Sequence, residues 1–243
     1  MANSYFRFKQ FTVHQELAAM KVTTDGCLFG AWVAAQLEKG NSSAQTILDI
    51  GAGTGLLSLM LAQKTASTID AIEVDMEAAT QAMSNFTQSP WKERLKIIHQ
   101  DIHQFNTPHD YPIIVSNPPF YEKDLTGKDP KKNIAHHHAG LLLQDLVKII
   151  RNKLTSENGH FFLLIPEKRL EETLTIIRQL DLRTYRICKV RQSVDHDFFR
   201  ALIHGGNTEH DDKMLVEELS IRDSNNEYTE AFIALLRDYY LYL

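Results

Sequence analysis

The chain has 243 residues, 43% of them hydrophobic and 23% charged, which suits one large globular domain and leaves little room for two full ones. No run approaches the ~18 consecutive apolar residues of a membrane helix, and residues 1–10 lack the apolar stretch of a signal peptide, so we predict a cytoplasmic protein. The net charge of −5 does not exclude a nucleic-acid partner, because a chain that is acidic overall can still present a basic face.

The predicted elements begin with a short strand or hairpin at residues 5–13, where aromatic side chains alternate. A helix follows from Thr24, with a threonine available as its N-cap, and Gly40 ends it. From residue 46, five strands alternate with helices. The strands are predicted at residues 47–50, 69–74, 95–99, 111–116 and 159–165, and the helices at residues 56–64, 76–88, 141–154 and 167–180. This alternation predicts a parallel sheet covered by helices on both faces.

The rhythm changes after residue 180. Residues 184–190 and 198–204 are typical of two antiparallel strands, residues 214–221 of a further strand, and residues 227–240 of an amphipathic helix. We predict an α/β fold with a mostly parallel, seven-stranded sheet and an antiparallel strand at its C-terminal edge. We expect one domain over residues 1–243, with residues 1–45 as an N-terminal extension of a core at residues 46–243.

A glycine-rich turn, Gly51-Ala52-Gly53-Thr54-Gly55, joins the first core strand to its helix. Glycines allow a sharp turn and a close approach to a ligand at a helix N-terminus, although the motif alone is weak evidence. Asp49, Glu73 and Asp101 lie at or near the ends of three successive strands. Each acid alone is equally well explained as a solvated strand end, but together they border the edge where open parallel sheets bind ligands.

The tetrapeptide Asn117-Pro118-Pro119-Phe120 follows the fourth predicted strand. Asn-Pro and Pro-Pro pairs are common in turns, so a plain turn is one interpretation. Proline has no N–H, and the segment therefore offers one side-chain amide, several backbone acceptors and an aromatic face. Such a surface suits a planar ring that bears an amino group.

Two surfaces are candidates for binding RNA. Residues 205–230 contain eight acids and two bases, a balance of −6, so the rest of the chain sums to +1. Within that rest, one basic cluster comprises Arg183, Arg186, Lys189, Arg191 and Arg200. The polar loop at residues 121–139 holds the other, Lys123, Lys128, Lys131 and Lys132, although neighbouring acids dilute it and a solvated loop explains it equally well.

No metal site is predicted. Cys27 and Cys188 do not form a Cys-x-x-Cys pair, so they indicate neither a disulfide framework nor a zinc site. His136, His137 and His138 are consecutive, and consecutive imidazoles cannot easily face one ion.

The glycine turn, Glu73, Asp101 and the tetrapeptide at Asn117 occur in the order found in class I S-adenosylmethionine (SAM)-dependent methyltransferases. More narrowly, they resemble the amino-methyltransferases with an Asn-Pro-Pro-aromatic motif, over at least residues 46–166. Residues 19–32 and 239–241 resemble the bacterial tRNA (adenine-N6)-methyltransferases that modify the adenine beside the anticodon of a valine tRNA. This family usually has tyrosine in place of Phe120, and phenylalanine keeps the stacking face.

The resemblance implies a Rossmann-like class I methyltransferase fold, SAM as cofactor and the anticodon loop of a tRNA as partner. A monomer is the expected state, without membrane or metal. The implied cofactor-binding residues are Thr24, Asp25, Asp49, Gly51, Gly53, Gly55, Glu73, Asp101, Ile102 and Asn117. The implied catalytic residues are Asn117, Pro118 and Phe120.

Three alternatives remain open at this point. Related motifs serve methylation of a protein glutamine and of a guanine amino group. An adenine in DNA is disfavoured, because no large inserted segment is available for target recognition. A catalytically silent RNA-binding scaffold is the alternative from another class, although such a protein has no chemical need for the glycines, Glu73, Asp101 and Asn117 together.

Overall fold

The computed structural model describes residues 3–39, 45–118, 142–208 and 213–243. The strands in these ranges are β1 (Tyr5–Arg7), β2 (Thr12–His14), β3 (Thr46–Ile50), β4 (Thr68–Glu73), β5 (Leu95–His99), β6 (Ile113–Ser116), β7 (His160–Pro166), β8 (Arg183–Ser193), β9 (Phe198–Gly206) and β10 (Leu215–Arg222). The α-helices are α1 (Thr24–Lys39), α2 (Leu56–Lys64), α3 (Met76–Thr87), α4 (Leu143–Lys153), α5 (Leu170–Gln179) and α6 (Glu230–Leu236). Phe120, the polar loop at residues 121–139 and the three consecutive histidines lie outside the described residues.

The main sheet has the strand order β10-β8-β9-β7-β6-β3-β4-β5. Strands β5, β4, β3, β6 and β7 are parallel neighbours, as the alternation of strands and helices predicts. The fold class is therefore confirmed. The sheet has eight strands where seven were predicted, because the further strand expected at residues 214–221, here β10, joins the sheet in parallel beside β8. The antiparallel strand β9 lies between β7 and β8, two strands in from the edge.

Two apolar layers cover the sheet. Alternate strand residues point to opposite faces, so Ile47 and Ile113 pack with α1 and α2, whereas Leu48 and Ile114 pack with α4 and α5. The first layer also contains Phe8 near the N-terminus and Tyr239 near the C-terminus. The apolar stripe of α4 lies in the second layer, as expected of a core helix.

The two ends of the chain meet beside α2. Strands β1 and β2 pair antiparallel, which confirms the predicted hairpin. Phe8 forms a β-bridge with Tyr240, and the Tyr239 hydroxyl donates to the Met60 carbonyl oxygen at 3.1 Å. Because residues 237–240 turn back towards this hairpin, α6 is shorter than the predicted helix over residues 227–240. None of the described helices is long and apolar enough to cross a membrane.

Candidate functional site at the carboxyl edge of the sheet

The strand register brings three predicted site residues to one level of the sheet. Ile50 pairs with Ile72 on one side and with Ser116 on the other. Gly51, Glu73 and Asn117 each follow one of these paired residues. Adjacent strands lie about 4.8 Å apart, so the glycine loop, the acid of β4 and the amide after β6 are near neighbours. The structure thus brings together residues that are up to 66 positions apart in sequence.

The glycine loop differs from one glycine to the next. Gly51 and Gly53 have positive φ angles of 73° and 55°, and a Cβ atom added at either would meet no described atom within 4 Å. Gly55 also has a positive φ, of 81°, but an added Cβ would lie 2.4 Å from Cε1 of Phe86. The first two glycines therefore leave an open cradle, whereas the third permits close packing against α3.

Glu73 is buried beside this loop, with 9% of its surface exposed. Its Oε2 accepts a hydrogen bond from the Gly53 backbone N–H at 2.8 Å, and its Oε1 accepts one from the Asp75 N–H at 2.9 Å. An ionised carboxylate can accept about four hydrogen bonds, so each oxygen retains capacity for a ligand hydroxyl. Glu73 therefore shapes the glycine loop and can also bind a diol.

Asp49 is fully buried beneath the loop. Its Oδ2 accepts from the Ser58 hydroxyl at 2.7 Å, while its Oδ1 has no partner among the described residues. Burial raises the pKa of the Asp49 carboxyl to about 7, although the hydrogen bonds from Ser58 oppose this shift. A buried oxygen without a partner is costly, and a bound cationic group would compensate it.

Asp101 follows β5 and caps a short 3-10 helix at Ile102–Gln104. One carboxylate oxygen, Oδ1, accepts from the His103 N–H at 2.9 Å. The Ile102 side chain is buried in the layer that contains α4 and α5. The family resemblance implies that both residues bind the cofactor, and the structure gives each a structural role as well.

Asn117 and Pro118 leave β6 at the centre of the edge. The strand end is fixed to β3, because the buried Ser116 hydroxyl donates to the Ile50 carbonyl oxygen at 2.7 Å. Pro118 is buried and Asn117 is half-buried. Asn117 thus follows directly after a strand end that is hydrogen-bonded to β3, the strand that leads into the glycine loop.

The start of α1 closes against the same place. Thr23 caps the helix, since its Oγ1 accepts from the Gly26 N–H at 3.2 Å. A Cβ added at Gly26 would lie 3.8 Å from Nδ2 of Asn117 and 3.4 Å from Cδ2 of Leu56. Among the predicted neighbours, Asp25 pairs with Arg200, and Thr24 is exposed. The start of α1 therefore borders Asn117 and Leu56, the residue that follows the glycine loop.

The basic cluster of residues 183–200 is charge-compensated. Four of its five cations lie within 4 Å of a carboxylate. These ion pairs are Arg186–Glu217, Lys189–Glu167, Arg191–Glu218 and Arg200–Asp25. Two of the acids come from β10, which is the parallel neighbour of β8. Neighbouring carboxylates thus offset part of this positive charge, and the role of the cluster as an RNA-binding surface stays a prediction.

In the part of the chain that the structure describes, no group of three or more His, Cys, Asp and Glu side chains is placed to hold a metal ion. Both cysteines are buried and free. Burial raises the pKa of the Cys27 and Cys188 thiols to about 12, so neither is a reactive thiolate at neutral pH.

Sequence reasoning missed several residues that build the site. Ser58, Asn85 and Ser116 hold Asp49, the glycine loop and β6, and all three are buried polar residues. One available signal was a pair of amide side chains, Gln81 and Asn85, spaced one turn apart at otherwise apolar positions of α3. Buried amides at such positions need specific partners.

Comparison with known proteins gives the family. The family model of the methyltransferase small domain matches residues 31–158. A tRNA1(Val) (adenine(37)-N6)-methyltransferase of Cytophaga hutchinsonii is 39% identical over 249 residues, and 100% of each chain is covered. The protein of the same name from Bacteroides thetaiotaomicron is 38% identical over 245 residues, again with 100% of each chain covered.

The solved structures give the fold. A predicted O-methyltransferase from Agrobacterium tumefaciens superposes with a TM-score of 0.65 at 16% identity, and the match covers 88% of this chain and 96% of that one. The site geometry, the family model and the full-length relatives agree. This chain belongs to the methyltransferase small-domain family and, within it, to the tRNA1(Val) (adenine(37)-N6)-methyltransferases.

Proposed function

We propose that the protein transfers a methyl group from SAM to the exocyclic N6 amine of an adenine in tRNA. The adenine is the one at position 37, next to the anticodon of a valine tRNA, as in the names of the full-length relatives. The observation that carries the proposal is the register that places Asn117 at the same level as Gly51 and Glu73. An amine-binding turn and a cofactor cradle are then adjacent.

The residues of the cradle fit SAM. The open space above Gly51 and Gly53 admits a ligand against the backbone. The partnerless Oδ1 of Asp49 suits the ammonium group of the methionine part, and the spare acceptor capacity of Glu73 suits the ribose hydroxyls. When bound, SAM supplies an electrophilic methyl group on a sulfonium sulfur.

Asn117 and Pro118 would orient the amine. The lone pair of an adenine N6 amine is delocalised into the ring, so the amine is a poor nucleophile. Hydrogen bonds from N6–H to the Asn117 side-chain oxygen and to the Pro118 carbonyl oxygen favour a tetrahedral nitrogen, whose lone pair is then free to react. Positioning and preorganised acceptors account for most of the expected rate.

The remaining steps need little from the chain. The nitrogen loses its proton after it has become cationic, so no strong general base is required. The target base must be unstacked, which costs less in a single-stranded loop than in a duplex. We propose that Phe120, outside the described residues, stacks on this base. Asp101 and Ile102 are proposed to hold the cofactor adenine, and Thr24 and Asp25 to close over the cofactor.

We also propose that residues 1–243 act as one catalytic unit, as a monomer, in the cytoplasm where tRNA is found. The single unit is supported by the apolar layer that joins Phe8, the α1 and α2 helices and Tyr239. This layer gives the N-terminal extension and the C-terminal residues a common core with the cofactor-binding strands.

The direct test is incubation with labelled SAM and total tRNA, followed by nucleoside analysis. We expect labelled N6-methyladenosine in one valine tRNA. Label in a guanine or in a protein glutamine would replace the proposed substrate with one of the alternatives. SAM-independent tRNA binding without any transfer would instead support a silent scaffold.

A further inference from the structure

Asn85, in the buried face of α3, makes contacts that the proposed reaction does not explain. It is 1% exposed, and its amide makes three hydrogen bonds of 2.9 Å. Oδ1 accepts from the His14 backbone N–H, and Nδ2 donates to the His14 carbonyl oxygen and to the Thr54 carbonyl oxygen. One side chain therefore joins β2 to the middle of the glycine loop.

The contact with Thr54 fixes the peptide that leads into Gly55. The next residue of α3, Phe86, packs so closely on Gly55 that an added Cβ would overlap the ring at 2.4 Å. Thr54 lies between Gly53, which donates to Glu73, and Gly55. Asn85 and Phe86 of α3 thus contact the loop at Thr54 and Gly55, while Glu73 contacts it at Gly53.

The contact with His14 continues along the N-terminal segment. Gln81 lies one turn before Asn85, and its Oε1 accepts from the Leu17 backbone N–H at 3.1 Å. This segment, residues 14–23, then leads directly to the start of α1, where Gly26 borders the Asn117 side chain. Asn85 and Gln81 therefore anchor the backbone that leads to the first turn of α1, beside the site.

We propose that Asn85 is a positioning residue for the cofactor cradle, which couples the N-terminal segment at residues 14–23 to the glycine loop. The inference rests on the proposed function in that the ligand is SAM. Because Nδ2 donates to both segments, displacement of either one disturbs the other. Cofactor binding should then depend on Asn85, although Asn85 lies beneath the loop.

The test is the dissociation constant of SAM, measured by calorimetry, for Asn85→Asp. This variant keeps the size and an acceptor but has no N–H to donate, so both carbonyl contacts are lost. We expect the dissociation constant to rise by about tenfold or more, because the lost hydrogen bonds no longer hold the glycine loop and the N-terminal segment in place. The kcat at saturating SAM should change by less than about threefold, since the chemical groups at Asn117 remain.

Two control variants separate positioning from general stability. Gln88→Glu also changes a side-chain amide to a carboxylate, but at an exposed residue that follows α3. Ile177→Ala lowers stability in the opposite apolar layer, and its SAM affinity should match that of the wild type. An Asn85→Asp variant that is destabilised like Ile177→Ala but binds SAM like the wild type would overturn the proposal.

Hydrogen exchange of the wild-type protein gives a second measurement that needs no variant. We expect SAM to slow exchange of the His14 and Leu17 amides, which are held by Asn85 and Gln81. Amides of β10, far from the cradle, should not change. Absence of protection at His14 and Leu17, in a protein that binds SAM, would refute the coupling. Failure of the wild type to bind SAM would refute the proposed function instead.

Discussion

Asp25 and Arg200, which are 175 positions apart, form an ion pair with a distance of 2.7 Å between Oδ2 and Nε. Asp25 lies in the first turn of α1 and Arg200 in β9, opposite Pro166 at the carboxyl end of β7. The guanidinium also lies over the Phe199 ring, 5.2 Å from its centroid. This contact fixes the start of α1 at the edge where the candidate site is found.

Arg200→Met should lower the free energy of unfolding by about 1–3 kcal/mol, because it leaves a mostly buried carboxylate without its cation. The Asp25 side chain is only 15% exposed in the ion pair. Arg200→Met combined with Asp25→Asn should recover part of that loss. Urea unfolding of the two single variants and the double variant measures the coupling in a double-mutant cycle.

Arg191→Met is the matched control, since Arg191 pairs with the 57%-exposed Glu218 at 3.8 Å. Such a surface ion pair should contribute less than about 1 kcal/mol. If the effects of the Asp25 and Arg200 substitutions on the free energy of unfolding were additive, the ion pair would have no role in holding α1.

Replacement of glycine by alanine should have different effects at Gly51 and at Gly55 of the glycine loop. Gly51→Ala introduces backbone strain of about 1–2 kcal/mol at a positive φ but meets no described neighbour. Gly55→Ala adds a clash with Phe86, so its loss of stability should be larger by about 1–3 kcal/mol. Gly51→Ala should reduce SAM affinity out of proportion to stability, because its Cβ enters the cradle.

Unfolding experiments and SAM calorimetry on both glycine variants check this contrast. Equal losses of stability would contradict the packing of Gly55 on Phe86. Wild-type SAM affinity in Gly51→Ala would contradict the position of the cradle.

These contrasts show which parts of the site the sequence could predict. Local patterns located the strand ends, and parallel pairing then placed Gly51, Glu73 and Asn117 on one edge, as observed. The pairing of Arg200 with Asp25 and of Asn85 with Thr54 joins residues that no local pattern connects. β10 was expected as a strand, but no local pattern shows that it pairs with β8. The predicted place of the antiparallel strand was therefore the sheet edge, whereas β9 lies two strands in.

The raised pKa of Asp49 predicts a dependence of stability on pH. Burial raises the pKa from 3.8 to about 7 in the folded protein. Because the folded-state pKa is the higher one, the stability that Asp49 contributes is complete below about pH 4 and is lost as the pH rises through 7. Relative to that of Asp49→Asn, the free energy of unfolding of the wild type should fall by about 1.4 kcal/mol per pH unit between about pH 5 and 7.

Urea unfolding of both proteins across this pH range gives the difference between their free energies of unfolding. The contributions of the other ionisable groups largely cancel in this difference. A pH-independent difference would show that Asp49 does not titrate near neutrality. An ammonium group bound beside Asp49 stabilises its carboxylate, so SAM binding near pH 6.5 should release a proton. Calorimetry in buffers of different ionisation enthalpy measures this release.

We propose that Asn117 orients the substrate amine, while the neighbouring cradle binds SAM independently of it. Single-turnover methyl transfer to valine tRNA and SAM calorimetry, both on Asn117→Ala, separate these two roles. The exposed asparagine of α4 provides the control, Asn152→Ala, which should behave as the wild type. We predict that Asn117→Ala slows transfer by about 100-fold or more and changes the SAM dissociation constant by less than about threefold. Wild-type transfer rates in Asn117→Ala would show that Asn117 does not orient the amine.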